Sequence, residues 1–255
     1  MIKNRCPLTP FYSQEILAKT RLNGVRKTIY SVNGDSYTGE WKDNKKHGRG
    51  IQKWKATQLV YEGYWENGKR CGPGILAVVG NGRHTKIYSG MWKDNKRHGY
   101  GENWYSCNEF YEGEWRENKR SGWGRYYYKD GAMYEGEWLH DKRWGNGMLR
   151  LRNALYLSVT SAIANENRYE GDWIDDMKNG KGKYIFHTTN QVMEGIWIDD
   201  VAKQTIITDL GPRLEATKTT YPIPDLEIQS VDAVWRNTTE ENMRLLREKY
   251  PQDFK

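Results

Sequence analysis

"YEGEWRENKRSGWG", residues 111–124, recurs along most of this chain and decides how it folds. A tyrosine opens the string, a glycine stands two residues on and a tryptophan two beyond that. Six polar positions follow, and Gly-x-Gly closes it. "YTGEWKDNKKHGRG" starts at Tyr37, "YEGYWENGKRCGPG" at Tyr61 and "YSGMWKDNKRHGYG" at Tyr88; "YEGEWLHDKRWGNG" starts at Tyr134 and "YEGDWIDDMKNGKG" at Tyr169. A worn copy, "MEGIWIDDVAKQTI", begins at Met193. Self-similarity at a fixed period marks a chain of stacked units, each resting mainly on its neighbours.

On a strand, side chains alternate between faces. The spacing therefore puts Tyr37 with Trp41, Tyr61 with Trp65, Tyr88 with Trp92, Tyr111 with Trp115, Tyr134 with Trp138, Tyr169 with Trp173, and then Trp197, on one face. Glu62, Glu112, Glu135, Glu170 and Glu194, and beside them Glu40, Glu114, Glu137 and Asp172, go to the other. The stretch after each tryptophan, such as 42–47, reads as a six-residue polar loop, with Gly-x-Gly opening a second strand. Trp54, Val78, Tyr105, Tyr128, Leu151 and Phe186, each four residues past the second glycine, form a further column on the ring face. Glycine at the fixed offsets leaves room for rings to lie across the backbone. A single hairpin buries too little apolar surface to offset its ordering entropy. The copies must share their stripes, which predicts an all-β fold: one elongated, twisted, single-layer antiparallel sheet of stacked hairpins.

Three regions follow. Residues 1–36 are a basic lead, with a short helix expected at 13–19 and a strand at 25–32 turned by Asn33-Gly34. Residues 37–206 hold six repeats and the degenerate seventh, in which Gln204 and Ile206 stand where the two glycines belong, as suits a capping end. Residues 207–255 form a tail, extended and proline-marked over 211–228 and laid along the sheet, then helical over 239–250 behind a Thr238 cap. The repeats start 24, 27, 23, 23, 35 and 24 residues apart. The long interval carries a surplus at 154–165, read as a loop bulging from the sheet or a spliced addition, and as a candidate contact site.

Only 37% of the 255 residues are hydrophobic, yet there are 12 Trp and 18 Tyr against 4 Phe, so the apolar surface sits in amphipathic rings. Such a chain is not disordered. Cys6, Cys71 and Cys107 follow no ligand or disulfide spacing. The start lacks the apolar core of a signal peptide and the glycine that myristoylation needs. No stretch approaches a membrane span. The expectation is an intracellular, cytoplasmic protein. The formal charge is +7, but residues 1–30 carry six basic side chains and one acidic one, leaving the array nearly balanced. That excludes a nucleic-acid footprint along the array. His47 and His98 repeat with the motif, while His84, His140 and His187 have no partners at metal or triad spacing. Nothing points to catalysis, a cofactor or a metal.

Two features carry binding hypotheses. Lys45-Lys46, Lys69-Arg70, Lys96-Arg97, Lys119-Arg120 and Lys142-Arg143 form a basic ladder. It is either a rail for an anionic partner, such as acidic tubulin tails or phosphoinositide headgroups, or simply loop solvation, which the neighbouring acids favour. The ring stripe is either core or a groove for a partner segment.

The repeated residues resemble the MORN (membrane occupation and recognition nexus) repeat, whose pattern is YEGEWxxxxxxGxG, over about 37–206. The resemblance implies an elongated, curved scaffold. Relatives occur in radial spokes and other axonemal assemblies, in sperm structures, and in parasite cytoskeletons. Others are fused to lipid kinases, a methyltransferase domain or a membrane anchor, none of which is recognisable here. What it implies for this chain is a non-enzymatic scaffold or adaptor, in a ciliary or sperm-flagellar axoneme or another sperm structure such as the acrosome. Its partners would be axonemal, cytoskeletal or microtubule-associated proteins. A peripheral phosphoinositide binder and a cytosolic adaptor tethering regulatory enzymes are the alternatives, and homodimerisation stays open.

Overall fold

A computed structural model describes residues 21–80, 82–151 and 167–211, with the isolated positions 244, 247 and 248. A lead strand β1 (Gly24–Tyr30) precedes seven hairpins. They are β2 (Ser36–Lys42) with β3 (Lys45–Trp54), β4 (Leu59–Glu66) with β5 (Lys69–Gly80), and β6 (Arg83–Lys93) with β7 (Lys96–Ser106). Then come β8 (Glu109–Arg116) with β9 (Lys119–Tyr127), β10 (Met133–Leu139) with β11 (Lys142–Arg150), β12 (Arg168–Ile174) with β13 (Met177–Phe186), and β14 (Gln191–Ile198) with β15 (Val201–Asp209). All pair antiparallel in chain order into one open 15-stranded sheet. At about 4.8 Å per strand, β1 and β15 lie roughly 67 Å apart along the pairing direction. The expected all-β, stacked-hairpin sheet is what forms.

The helix expected at 13–19, the surplus at 154–165 and the tail after 211, except positions 244, 247 and 248, lie outside the described residues. Of the helix expected at 239–250, Arg244, Arg247 and Glu248 are described and helical. The surplus leaves the ladder in register: Leu151 N donates to Asn167 O at 2.8 Å, and Arg150 then faces Arg168. The Asn33-Gly34 turn forms as expected, with Gly34 N donating to Ser31 O at 2.9 Å.

The six-residue loop does not form. Each repeat turns on two residues with positive φ, such as Glu117 (51°) and Asn118 (73°), the geometry that matches strand twist. Asp and Asn tolerate this region, so the turn needs no glycine. The basic pair after it is already strand. Gly-x-Gly then sits in mid-strand, where the register slips between Gly113 and Trp115 as a bulge. Its two glycines do different work. Gly122 bends the bulge with φ 92°, whereas Gly124 faces Gly113 beneath the Tyr111 ring, where a Cβ would lie 2.5 Å from the ring's Cζ. Glu114 sits on the far face, and its carboxylate caps the bulge by accepting from Trp123 N at 3.0 Å; Glu40, Glu137 and Asp172 do the same for Arg49, Asn146 and Lys181.

The terminal hairpin departs from the expected register. Its bulge is one residue shorter, so Thr205, not Gln204 or Ile206, stands opposite Gly195. Met193 occupies the tyrosine position there, and with no ring to clear, a threonine is admitted.

Candidate functional site

The rings form one continuous zigzag. Each tyrosine meets its own tryptophan and that of the next repeat edge to face: Tyr111 lies 5.2 Å from Trp115 and 5.5 Å from Trp138. The same pairing runs from Tyr37, with Trp41 and Trp65, to Tyr169, with Trp173 and Trp197. Such T-shaped pairs suit the ring quadrupoles. Tyr61, Tyr88 and Tyr134 continue the ladder with Trp65, Trp92, Trp138 and Trp173, and all of these except the half-buried Trp41 are buried. Their polar ends are used inside the array. Tyr111 Oη donates to Glu114 O at 3.0 Å, and Trp138 Nε1 reaches back to Gly124 O of the preceding repeat at 3.2 Å. Trp65, Trp92, Trp115 and Trp173 make the equivalent bond to Gly50, Gly74, Gly101 and Gly147.

The basic ladder divides into two columns with different surroundings. Its second member lies over the next repeat's indole. The guanidinium carbons of Arg70, Arg97, Arg120 and Arg143 stand 4.1, 4.2, 4.2 and 4.3 Å from the rings of Trp92, Trp115, Trp138 and Trp173. Lys46 and Lys178 take the place more loosely, at 4.9 Å from Trp65 and 5.3 Å from Trp197. A planar guanidinium stacks where an ammonium can only approach. The next turn latches onto this residue. Arg120 N donates to Asp141 Oδ1 at 2.9 Å, Asp141 N returns a bond to Arg120 O at 3.0 Å, and Arg120 Nη2 reaches Asp141 O at 2.7 Å. The latch explains why the second turn residue is Asn or Asp. Where it is Gly68, the side-chain acceptor is missing and Gly68 N to Lys46 O remains.

The outer column is exposed. Lys69, Lys96 and Lys142 pair with Asp94, Glu117 and Asp175 of the following turn at 2.9, 3.4 and 3.0 Å. Lys119 meets a turn that offers His140 instead, and Lys45 belongs to the same column.

Sequence reasoning missed a column. Opposite the tyrosines stand Gln52, Leu76, Asn103, Tyr126, Leu149 and Tyr184, two residues nearer the glycines than the column singled out. Its types share no hydropathy, which hid it, but several of them serve the cation: Arg97 Nη1 donates to Asn103 Oδ1 at 2.6 Å and Lys46 Nζ to Gln52. The acidic face is also more than a solvated one. Ile75, Met148 and Ile185 are buried there, and buried Glu135 accepts from Arg125 Nε at 2.6 Å.

Two predictions arise here. Arg120→Ala should lose roughly 1–2 kcal/mol of stability by urea unfolding. Arg120→Lys should lose less, as Lys46 and Lys178 show, and Lys119→Ala should stay within about 0.5 kcal/mol. Burial pushes the phenols of Tyr61, Tyr88, Tyr111 and Tyr169 above their ordinary value, and raises Tyr127, beside Glu112, to about 12. Folded phenols thus hold protons that unfolded ones release. Their contribution is complete below pH 10 and falls as pH rises beyond it, so urea midpoints should be level from pH 8 to 9 and decline steeply by pH 11.

Among the described residues, no helix is long and apolar enough to cross a membrane, and no group of three His, Cys, Asp or Glu could hold a metal. Comparison with known proteins agrees with the repeat. The MORN repeat profile matches residues 37–56, 61–77, 88–102, 111–133, 134–153 and 169–190. The chain is 43% identical over 219 residues to MORN repeat-containing protein 3 of Xenopus laevis, covering 85% of this chain and 87% of that protein. A 32-residue stretch is 62% identical to the protein of the same name in Homo sapiens, 12% of this chain and 13% of that one. Alsin of Mus musculus is 28% identical over 93 residues, 26% of this chain and 5% of Alsin.

Proposed function

The chain belongs to the MORN repeat family, and on that premise we propose that it is a non-enzymatic scaffold that assembles other proteins in a ciliary or sperm-flagellar axoneme or another sperm structure. One observation carries the scaffold reading. The recurring residues are consumed in building the sheet: rings by rings, indole N–H by glycine carbonyls, the inner cations by indoles. A repeat whose chemistry is directed inward makes a platform, and its partners meet what varies between repeats. Those variable parts are the flanks, the surplus at 154–165 and the exposed side chains of the face opposite the rings. The axonemal placement rests on where relatives of this repeat work. Its test is fractionation of the tagged full chain in ciliated or spermatogenic cells. Association with the detergent-resistant axonemal fraction is expected, and a wholly soluble, diffuse protein would sink the placement.

The ladder gives little support to the anionic-rail reading. Its inner column is stacked on indoles, and Lys69, Lys96 and Lys142 of its outer column are neutralised in ion pairs. Exposed pairs leave a weak residual field. Sedimentation with phosphoinositide vesicles at low salt, where adsorption is strongest, should therefore be slight.

A further inference from the structure

The seven hairpin turns stack along one side of the sheet. The residues flanking them, on the face opposite the rings, change character along the array. In the first four hairpins the facing pairs are charged: Lys42 with Lys45, Glu66 with Lys69, Lys93 with Lys96 and Arg116 with Lys119. In the last three they are Leu139 with Lys142, Ile174 with Met177 and Ile198 with Val201. Trp144 joins this strip, because it lies one residue beyond the pairing of Gly145 with Trp173 and so stands opposite Ile174. Leu139, Trp144, Ile174, Ile198 and Val201 are between 37% and 51% exposed. Single apolar side chains at a surface need no explanation, but five gathered in one strip mark a contact site.

The strip has the dimensions of a short helix laid across the strands. From Leu139 to Ile198 it crosses four strand spacings, about 19 Å, and a twelve-residue helix is about 18 Å long. Helix positions i, i+3 and i+7 are separated by rises of about 4.5 and 6 Å, so they meet successive strands about 4.8 Å apart. The tail carries such a stripe. In "TEENMRLLREKY", residues 239–250, Met243, Leu246 and Tyr250 hold those positions. Arg244 and Glu248 fall on the opposite side of that helix; both are helical and exposed, and they pair with each other at 2.6 Å. A helix of this length is marginal in water unless its apolar side is covered. The tail also has the reach. β15 ends at Asp209, about 27 Å along the strand from Val201 and the turns. The 28 residues 211–238 span roughly 30 Å as a flexible coil, enough to bring the helix back to the strip.

We propose that residues 239–250 dock as a helix across the last three turns of their own chain, with Met243, Leu246 and Tyr250 set on Ile174, Met177 and Ile198. Arg244 and Glu248 stay in solvent, where their ion pair already places them. The first four hairpins cannot take the helix, because their charged pairs would be desolvated against apolar side chains. Docking thus tells apart the two ends of an otherwise repetitive array. It also makes the tail a gate, since a partner helix with the same stripe has to displace residues 239–250 before it reaches the strip.

Hydrogen exchange on the purified full chain reads the contact directly. Amides of 243–250 should exchange at least about tenfold more slowly than in a synthetic peptide of residues 236–255. Ile174→Ser combined with Ile198→Ser should remove that protection and leave β2 to β9 unchanged, since both side chains are part-exposed in the sheet. Leu246→Asp should remove it from the other side of the contact. Cross-linking gives the location. With Cys6, Cys71 and Cys107 replaced by serine, a short bis-maleimide should join Met177→Cys to Leu246→Cys within one chain. It should not join Leu246→Cys to Lys45→Cys, the matching position of the first hairpin. A tail that exchanges as fast as the peptide overturns the proposal. So does protection that survives both sets of substitutions, equal cross-linking at Lys45 and Met177, or cross-links formed only between chains.

Discussion

Gly124→Ala, one methyl group in the middle of the array, is expected to cost about 3 kcal/mol, the upper range for forcing extra volume into a packed interior. The new Cβ would come within 2.5 Å of Tyr111 Cζ and 2.6 Å of Cε2, and closer still to Oη. The ring has little room to yield, because Trp115 and Trp138 hold its two edges and Oη is committed to Glu114 O. Urea unfolding followed by tryptophan fluorescence would measure the loss. Gly80→Ala is the control. Nothing lies within 4 Å of a Cβ at that position, and the change should stay within about 0.5 kcal/mol. Equal effects at the two sites would refute the clearance argument. The terminal hairpin suggests its own cycle. It carries Met193 and Thr205 where other repeats carry tyrosine and glycine. Gly124→Thr and Tyr111→Met should each destabilise, yet together cost less than their sum by more than about 1 kcal/mol, because the second removes what the first strikes.

That coupling shows what could be read from the chain and what could not. The ring face was legible because Tyr, Gly and Trp recur at even offsets, and even offsets mean one face of a strand. The order of strands followed from the period. The loop was misread because Lys45, Lys46 and His47 look like solvated turn residues, and their polarity hid that Lys46 lies over Trp65. Composition reports which side chains are charged; it does not report that an arginine's flat face can stack against an indole while its N–H groups are latched by the next turn. The bulge was hidden for a related reason. Its signature is a pairing of Glu40 with Arg49 N and of Gly48 with a positive φ, and neither is a periodicity. Gln204 and Ile206 were read as the residues in the glycines' places, and the register shows otherwise. The shortened bulge moves Thr205 into the glycine's place, and a one-residue shift is invisible until the register is seen.

Trp138→Ala should be the most damaging single substitution at a ring position, and its effect should depend on place in the array more than on residue type. Trp138 joins two repeats. It packs 5.1 Å from Tyr134 of its own and 5.5 Å from Tyr111 of the one before, carries Arg120 at 4.2 Å, and bonds Gly124 O. Truncation removes a large buried side chain, worth roughly 3–5 kcal/mol. It also leaves the Gly124 carbonyl without its donor and the Arg120 guanidinium without the surface it covers. Trp41 has the same sequence context, but in the strand before it Gly24 stands opposite Trp41 and Arg26 takes the place of the second glycine, facing Gly39. It meets Tyr37 alone in its ring pairing here, and its Nε1 has no partner among the described residues. Trp41→Ala should therefore cost about 2 kcal/mol or less. Hydrogen exchange supplies the sharper readout. In a quasi-one-dimensional array, loss of one interface weakens the units that flank it and leaves distant ones protected. Trp138→Ala should raise exchange in β8 to β11 and spare β2 and β3. Uniform loss across all strands, or an equal penalty for the two tryptophans, would mean that the sheet unfolds as a single cooperative block and that the ring zigzag does not transmit stability from neighbour to neighbour.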